Sequence, residues 1–291
     1  MRLGDAPESG NFEDRTGQSG GGGLSLGGAG GGLFGLLAQF VLSRFGLVGL
    51  LILGLGYCAL SSLGGGLGGG SMKEGPSQLD PNTGKFMREV LGSTEQVWGD
   101  IFKKAGAQYT PTRLVAYSDY NQSGCGAAQA AMGPFYCPTD KQIYIDPAFF
   151  QELSQRFQAP GDFAQAYVIA HEVGHHVQDL EGTLDQVGSA QARSDKVSGN
   201  QLQVGVELQA DCYAGVWAAN AKDANGQLLL EPGDVEEGMR AAEAIGDDTL
   251  QKQMQGRVVP DSFTHGSSAQ RMEALQRGLK SGNPGACNYT R

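Results

Sequence analysis

Glycine divides this chain into two unlike parts, and the division limits where a packed domain can form. About half of the 47 glycines in the 291 residues lie within the first 75 positions. A segment with so much glycine loses much conformational entropy on folding and has few side chains with which to build a core. The sequence therefore predicts a glycine-rich disordered segment over 1–44, a glycine-rich linker over 64–75 and one packed domain over 76–291.

The stretch between the two glycine-rich segments is apolar. Residues 45–63 read FGLVGLLILGLGYCALSSL, without a charge or a proline, and this length is close to the ~20 residues that a helix needs to cross a bilayer. We predict one transmembrane helix here, with the lipid bilayer as a partner. A buried globular helix fits less well, because glycine runs flank the stretch on both sides. A cleaved signal peptide fits poorly, because a long segment with several acidic residues precedes the stretch.

Flanking charges and cysteine usage predict the orientation of this span. Arg44 lies immediately before it, whereas the first basic residue after it is Lys73, which favours an N-terminus inside the cell. Four of the five cysteines lie in the predicted domain, and an even number suits disulfides in an oxidising compartment. The predicted location is the cell membrane, single-pass, with the N-terminus inside and the domain outside the cytoplasm, on the periplasmic side if the cell is Gram-negative.

The cysteines of the domain are Cys125, Cys137, Cys212 and Cys287, which allow three pairings. Cys125 and Cys137 are the favoured pair, because the short loop between them is rich in glycine and proline and has little else to hold its shape. Cys212 and Cys287 then remain, and their disulfide would tie the C-terminal tail to a helix. The alternative is four buried thiols in a cytosolic domain.

The charge balance excludes one class of function. The chain has 31 acidic and 21 basic residues and a net charge of -10. It is therefore not a basic nucleic-acid-binding protein, and we predict no nucleic-acid partner. The acidic excess is most simply a solvated surface.

Hydrophobic spacing within the domain predicts an α+β fold. Residues 83–105 have apolar side chains at helical spacing. Residues 114–117 (LVAY) and 142–145 (QIYI) are typical of strands that pair or neighbour in one sheet. An Asp-Pro pair follows the second strand and predicts the start of a helix over 148–157.

The residues that carry chemistry begin in a predicted helix over 162–180, DFAQAYVIAHEVGHHVQDL, which contains HExxH. His171 and His175 are four residues apart, so both imidazoles lie on one helix face, as two ligands of one zinc ion require. Glu172 lies beside that point without ligating, where it can act as general base and acid on a water molecule that zinc activates. HExxH alone is moderately specific, and its position in the middle of a helix raises its specificity.

A catalytic zinc ion takes three protein ligands, and the third candidate lies in VELQADC at 206–212. Glu207 and Asp211 are four residues apart on a largely apolar helix, where an ionised carboxylate needs a partner. Glu207 is the predicted third ligand, and Asp211 is predicted to accept a hydrogen bond from a ligand imidazole and so fix its tautomer. An ordinary solvated helix face is the alternative for both, and Cys212 is a weaker candidate ligand.

Three stretches carry a resemblance to a known family: HEVGHHVQ at 171–178, ELQADCYAGVWA at 207–218 and SFTHGSSAQR at 262–271. They resemble the neutral zinc metallopeptidase family of bacteria, whose members have a glycine-rich N-terminus, a membrane segment and a zincin domain. HExxH followed by ExxAD is also similar to the CaaX-prenyl-protease and heat-shock membrane protease group. That likeness implies the same three zinc ligands, with Glu172 as the base and Asp211 supporting a ligand histidine.

One further histidine is available to the site. The chain has only four, of which two are predicted ligands and one points off the ligand face. His265 remains, and it can hydrogen-bond an oxyanion. Similar proteases place a histidine-containing segment followed by an arginine near the zinc, which here implies His265 and Arg271. A structural loop histidine is the alternative, and Tyr167 or Tyr213 could take the same role.

These observations predict a membrane-anchored zinc metallopeptidase that hydrolyses bonds of a peptide or protein substrate, with Zn²⁺ as its cofactor. The predicted fold is α+β and zincin-like, with a small β-sheet over the HExxH helix, preceded by one transmembrane helix. Residues 142–145 are the expected edge strand, which a bound peptide would extend. Two alternatives stay open: a catalytically inactive zincin-fold binding or scaffold protein at the membrane, and a zinc hydrolase of a non-peptide amide.

Overall fold

The computed structural model describes residues 1–4, 6–19 and 73–290, which form a mixed α+β protein with small sheets. The helices predicted from apolar spacing are present, with bounds that differ by two residues or fewer. The α-helices of the described residues are α1 (Pro81–Lys104), α2 (Ala148–Gln155), α3 (Asp162–Leu180), α4 (Thr183–Gln191), α5 (Lys196–Asn220), α6 (Asp234–Ala244), α7 (Asp247–Gln255) and α8 (Ser268–Ser281), with 3-10 helices at Ala130–Met132, Pro260–Ser262 and Pro284–Ala286.

The strands form one four-stranded sheet and two small pairs. Their bounds are β1 (Phe12–Asp14), β2 (Gln18–Ser19), β3 (Lys73–Glu74), β4 (Arg113–Ala116), β5 (Tyr120–Ser123), β6 (Gly126–Gln129), β7 (Phe135–Cys137) and β8 (Gln142–Ile145). The main sheet has the order β1-β4-β8-β7, in which β1, β4 and β8 run parallel and β7 is antiparallel to β8. The pairs are β2 with β3 and the hairpin of β5 with β6.

Strand β8 is internal, so the prediction that 142–145 forms the edge of the sheet is wrong. It pairs with β4 on one side, where Val115 faces Tyr144, and with β7 on the other, where Tyr136 faces Ile143. The last three residues of β8 are all buried, as expected for a strand with neighbours on both sides. Among the described strands the edge on this side is β7, whose three residues lie between two prolines that obscure it in the sequence.

Helix α3, which carries HExxH, lies at the centre of the core. It contacts α1, α5 and α6 and also strands β7 and β8 of the main sheet. Apolar or small residues occupy most of its surface, and a helix that is hydrophobic nearly all round is buried. Helices α5 and α8 pack so closely that a side chain at Gly278 would collide with the Cys212 carbonyl. The HExxH side chains therefore project from a helix that the core holds on several sides.

Two disulfides are present, with the pairing that the sequence favoured. Cys125, in the turn between β5 and β6, is bonded to Cys137 at the end of β7. Cys212 on α5 is bonded to Cys287 in the C-terminal tail. The first disulfide joins the hairpin to the edge strand, and the second fixes the tail on a central helix.

The first nineteen residues pack onto the domain, which corrects the prediction of a disordered segment for this part of 1–44. Residues 1–19 and 74–291 form one compact unit. Leu3 and Ala6 are buried, and β1 pairs with β4 along its length. Only three glycines occur in residues 1–19, so a glycine count over 75 positions hid a segment of ordinary composition. The domain thus includes residues well before the predicted start at 76.

The described chain leaves and re-enters this unit at one place, where the Gly75 amide donates to the Gly17 carbonyl at 2.8 Å. This hydrogen bond joins the described segments that precede and follow residues 20–72. The topology with the N-terminus inside and the domain outside the cytoplasm stays a prediction. The span predicted over 45–63 lies outside the described residues, and within the described ranges no helix has the length and apolarity to cross a bilayer.

Candidate metal centre

Three predicted ligands meet where α3 crosses α5. His171 and His175 lie one turn apart on α3, and Glu207 reaches them from α5. Glu207 Oε2 is 3.2 Å from His171 Nε2 and 3.6 Å from His175 Nε2. One ligand atom from each of the three lies within 4.8 Å of the others.

These donor atoms fit a tetrahedral zinc ion. With metal–ligand bonds of about 2.0–2.2 Å, the donors around tetrahedral zinc lie about 3.4 Å apart. The two separations from Glu207, 3.2 and 3.6 Å, fall on either side of that value. Two imidazoles and one carboxylate also leave a fourth position for water or substrate, which is typical of catalytic rather than structural zinc.

The close approach of α3 and α5 depends on a glycine inside HExxH. A Cβ atom at Gly174 would lie 3.0 Å from the Ala210 Cα and carbonyl oxygen atoms. Glycine in a helix interior is unfavourable by about 1 kcal/mol relative to alanine, so its presence here indicates a need for close contact. The contact brings Glu207, three residues before Ala210, within reach of both histidines.

His171 is held by a buried group of charges. Its Nδ1 donates to Asp211 Oδ1 at 2.7 Å, because an ionised carboxylate only accepts, so in the neutral ring Nε2 carries the lone pair that a metal can bind. Arg271 donates to both oxygens of Asp211 at 2.8 Å, and Tyr167 donates to Oδ1 at 2.5 Å. Although burial alone would raise it, the guanidinium charge of Arg271 holds the pKa of Asp211 at about 2.

The electrostatics of the centre favour a cation. Burial lowers the pKa of His171, but the Asp211 and Glu207 carboxylates outweigh it and raise this pKa to about 10. Burial would raise the pKa of Glu207, yet the two histidines hold it well below its usual value. His171 Nε2 lies 3.2 Å from Glu207 Oε2, and a proton or a metal cation between these two atoms makes the arrangement favourable.

The centre opens into a cavity of about 900 Å³. Glu172 lines this cavity beside the ligands, is only 6% exposed, and has its pKa raised by burial. Much of the remaining wall is apolar and includes Phe149, Phe157, Leu184 and Met254. The cavity therefore combines a metal-binding set, an acid or base and an apolar surface.

His265 also lines this cavity, from the loop between α7 and α8. Asp247 holds the loop, because its Oδ2 accepts hydrogen bonds from the amides of Thr264, His265 and Gly266. The His265 side chain is about half exposed, and its hydrogen bond to Asp247 raises its pKa. The two tyrosines considered for the same role have their hydroxyls engaged, Tyr167 with Asp211 and Tyr213 with Glu181.

The structure thus gathers the predicted residues His171, Glu172, His175, Glu207 and His265 around one cavity and places Asp211 directly behind His171. Sequence reasoning missed the role of Gln178, which contacts His175, and of Arg271 as the partner of Asp211. Arg271 had a signal in the sequence, because helical spacing places it on the same face of α8 as Ser268, Ala274 and Leu275, which are buried.

The fold and the site together define an α+β protein with a largely buried set of two histidines and one carboxylate suited to zinc. The model of the family described as "Putative neutral zinc metallopeptidase" matches residues 1–290, and the chain belongs to this family. The match confirms the resemblance found in the three sequence stretches around the site.

The curated relatives are similar over much of their length. "Uncharacterized protein YpfJ" of Escherichia coli (strain K12) is 45% identical over 295 residues, which cover 99% of this chain and 98% of that protein. "Uncharacterized protein Rv2575" of Mycobacterium tuberculosis (strain H37Rv) is 42% identical over 204 residues, 67% of each chain. No solved structure matches the chain.

Proposed function

We propose that this protein is a zincin-like metallopeptidase that hydrolyses peptide bonds. The observation that carries the proposal is the convergence of His171, His175 and Glu207 at tetrahedral spacing beside a cavity of about 900 Å³. The small sheet in contact with the HExxH helix supports a zincin-like arrangement. The family match supports zinc as the metal.

In this proposal the side chains around the cavity have distinct catalytic roles. Zinc bound by the three ligands supplies Lewis acidity toward the scissile carbonyl and a water molecule. Glu172 takes the proton from the water and passes it to the leaving amine, because it projects into the cavity next to His171. His265 donates a hydrogen bond to the oxygen that becomes negative, and Asp247 orients the loop for that task.

An extended substrate binds along β7 in this proposal, in place of the β8 edge expected from the sequence. One side of β7 has no partner among the described strands, and both Phe135 and Tyr136 line the cavity. A peptide that adds to this edge gains backbone hydrogen bonds, while its alternate side chains enter the cavity. The apolar wall favours substrates with apolar side chains next to the cleaved bond.

The first test is the metal content of the full-length chain, measured by elemental analysis. We expect about one zinc per chain, and loss or strong weakening of zinc binding in Glu207→Ala. Gln186→Met, at an exposed glutamine of α4, serves as a control that keeps its zinc. An unchanged zinc content in Glu207→Ala would contradict the three-ligand site.

The second test separates metal binding from chemistry. Glu172→Gln keeps the shape of the side chain but cannot take up a proton, so it should bind zinc normally and cleave no peptide of a library that the unmodified protein cleaves. Peptide cleavage by zinc-loaded Glu172→Gln would refute its role as base. Zinc binding without peptide cleavage by the unmodified protein would favour a scaffold or a hydrolase of another amide.

We also propose that the domain works outside the cytoplasm at a membrane. Two disulfides suit an oxidising compartment, and the apolar sequence of 45–63 suits a bilayer. A membrane-impermeant protease added to intact spheroplasts should digest the domain, whereas full protection there would place it in the cytosol.

A further inference from the structure

The second ligand histidine is held by a chain of side-chain amides. His175 Nδ1 lies 2.9 Å from Oε1 of Gln178, three residues further along α3. Gln178 Nε2 donates to the Val206 carbonyl and to Gln209 Oε1, both at 2.8 Å. Gln209 Nε2 donates in turn to the Cys287 carbonyl at 3.0 Å. Both glutamines are buried, with 0% and 7% exposure, so these hydrogen bonds face little competition from water.

The direction of this chain is fixed by its two backbone ends. The Val206 and Cys287 carbonyls can only accept, so each glutamine must turn its NH₂ group toward a carbonyl. Gln209 then offers its oxygen to Gln178, and Gln178 offers its own oxygen to His175. An amide oxygen also only accepts, so His175 Nδ1 carries the proton and Nε2 keeps its lone pair. Reversal of either amide would set two donors or two acceptors against each other.

The far end of the chain is fixed by the C-terminal disulfide. Gln209 and Cys212 lie one turn apart on α5, and both hold Cys287, one through its carbonyl and the other through its sulfur. The tail also passes directly over Gly205, where a Cβ atom would lie 2.5 Å from the Tyr289 carbonyl oxygen. The spacing of Gly205, Gln209 and Cys212 places them on one face of α5, along which the tail lies.

We propose that Gln178 and Gln209 are positioning residues that set the tautomer of His175, and that the Cys212–Cys287 disulfide anchors them. The affinity of the centre for zinc then depends on a covalent bond in the C-terminal tail. The inference rests on the proposed function only in taking His175 as a zinc ligand. The tautomer itself is a property of the metal-free protein.

The tautomer can be read directly by nitrogen-15 NMR of the imidazole rings in the metal-free protein. With only four histidines in the chain, each ring can be assigned by single substitutions. We expect His175 as the Nδ1–H form with a slowly exchanging ring proton. In Gln178→Met, of similar size, that proton should exchange rapidly. An Nε2–H form of His175 in the unmodified protein would overturn the proposal without any variant.

Zinc affinity provides the second readout, from competition with a chromophoric chelator. Loss of a side chain that holds a ligand histidine weakens metal binding by about 10–100-fold, and we expect this of Gln178→Met. Gln209→Met should have a smaller effect, about threefold to tenfold, because the Val206 carbonyl still directs Gln178. Ser93→Ala, which removes a different buried hydrogen bond to Trp217, should lower stability but leave zinc affinity unchanged.

The two disulfides allow a matched test of the proposed anchor, because each can be removed by a double substitution. Cys212→Ala with Cys287→Ala keeps the Cys287 carbonyl but releases the tail, and zinc affinity should fall about threefold to tenfold. Cys125→Ala with Cys137→Ala removes the other disulfide and should leave zinc affinity within twofold of the original. Equal affinities in the two double variants would show that the tail is not an anchor and overturn that part of the proposal.

The two proposals fail in different ways. If Gln178→Met and the unmodified protein bind zinc equally tightly, the positioning role is wrong and the zinc site stands. If the unmodified protein binds no zinc, the proposed function is wrong, while the ring proton of His175 still reports on the amide chain.

Discussion

The two histidines proposed as zinc ligands lie one turn apart, and each is oriented through its Nδ1 atom by a partner of a different kind. His171 donates to Asp211, an ionised carboxylate that Arg271 and Tyr167 surround. His175 donates to Gln178, a neutral amide whose direction comes from backbone carbonyls. One side of the centre thus uses charge, and the other uses a sequence of hydrogen bonds without any charge.

The difference between the charged and the neutral side is consistent with a limit on buried negative charge at the centre. Glu172, Glu207 and Asp211 are all buried, and Arg271 is the buried cation beside them. A second carboxylate behind His175 would add another buried charge, and its desolvation would cost several kcal/mol without a partner cation. An amide gives the same hydrogen bond to the ring without that cost. The charged side should therefore be the stronger and the less tolerant of the two.

Arg271→Met should have the largest effect on stability. It leaves the Asp211 carboxylate buried without its cation, and we expect a loss of about 3–5 kcal/mol in the free energy of unfolding, measured by urea titration. The double variant Asp211→Leu with Arg271→Met removes both charges. It should be more stable than Arg271→Met alone, and additive losses would show that the charges are not coupled.

Gln178→Met should cost less, because it leaves only neutral groups unpaired. The Val206 carbonyl and Gln209 lose a donor, and we expect about 1–3 kcal/mol in the same urea titration. Losses of equal size for Gln178→Met and Arg271→Met would show that the charged and the neutral side do not differ in strength. A smaller loss of stability for Gln178→Met, together with a clear loss of zinc affinity, would show that the neutral side mainly orients His175.

Gly174→Ala tests a feature that the two sides share, the contact of α3 with α5. The added methyl must push against Ala210, which should cost about 1 kcal/mol after the gain in helix propensity and should weaken zinc binding through both histidines. Gly188→Ala on α4 meets no atom within 4 Å and should stabilise the protein slightly. Unchanged zinc affinity in Gly174→Ala would show that Glu207 does not depend on this contact.

Asp247→Asn should have the smallest effect, because His265 is half exposed and the oxygen of the asparagine amide can still accept from the loop amides. The hydrogen bond to Asp247 raises the pKa of His265, so the pair favours the folded state below the ordinary histidine pKa of about 6.5 and loses that contribution as the pH rises through the raised value. NMR titration should show a lower His265 pKa in the variant. A pKa that stays raised would assign the shift to other charges.

The sequence predicted the parts of the site that depend on local spacing. His171, Glu172 and His175 follow from four-residue spacing on one helix, and Glu207 with Asp211 from the same spacing on another. The start of α8 is also set by local spacing, because Ser267 and Gln270, three residues apart, form a capping box. In each case helix geometry alone relates the residues, so the prediction needs no knowledge of the tertiary fold.

The contacts that sequence reasoning could not supply join distant segments. Arg271 meets Asp211 across 60 positions, and Gln209 meets Cys287 across 78. No local pattern fixes such pairs, because they depend on how α8 and the tail return to α5. The prediction that β8 forms the edge of the sheet failed for the same reason, because its second neighbour is the short strand β7. The long-range contacts that the sequence did predict came from chemistry: the Cys212–Cys287 disulfide, and the approach of Glu207 and Asp211 to the histidines of α3.

The hydrogen bond between Gly75 and Gly17 brings together the two described stretches of chain that precede and follow residues 20–72. Cleavage of the chain within residues 20–72 should leave β1 paired with β4, so the unit would persist as two chains held together by noncovalent contacts. A fragment that began at residue 72 would instead lack β1 and expose one edge of the main sheet. Supplied as a separate peptide, residues 1–19 should restore that edge, so the unit is a natural candidate for fragment complementation.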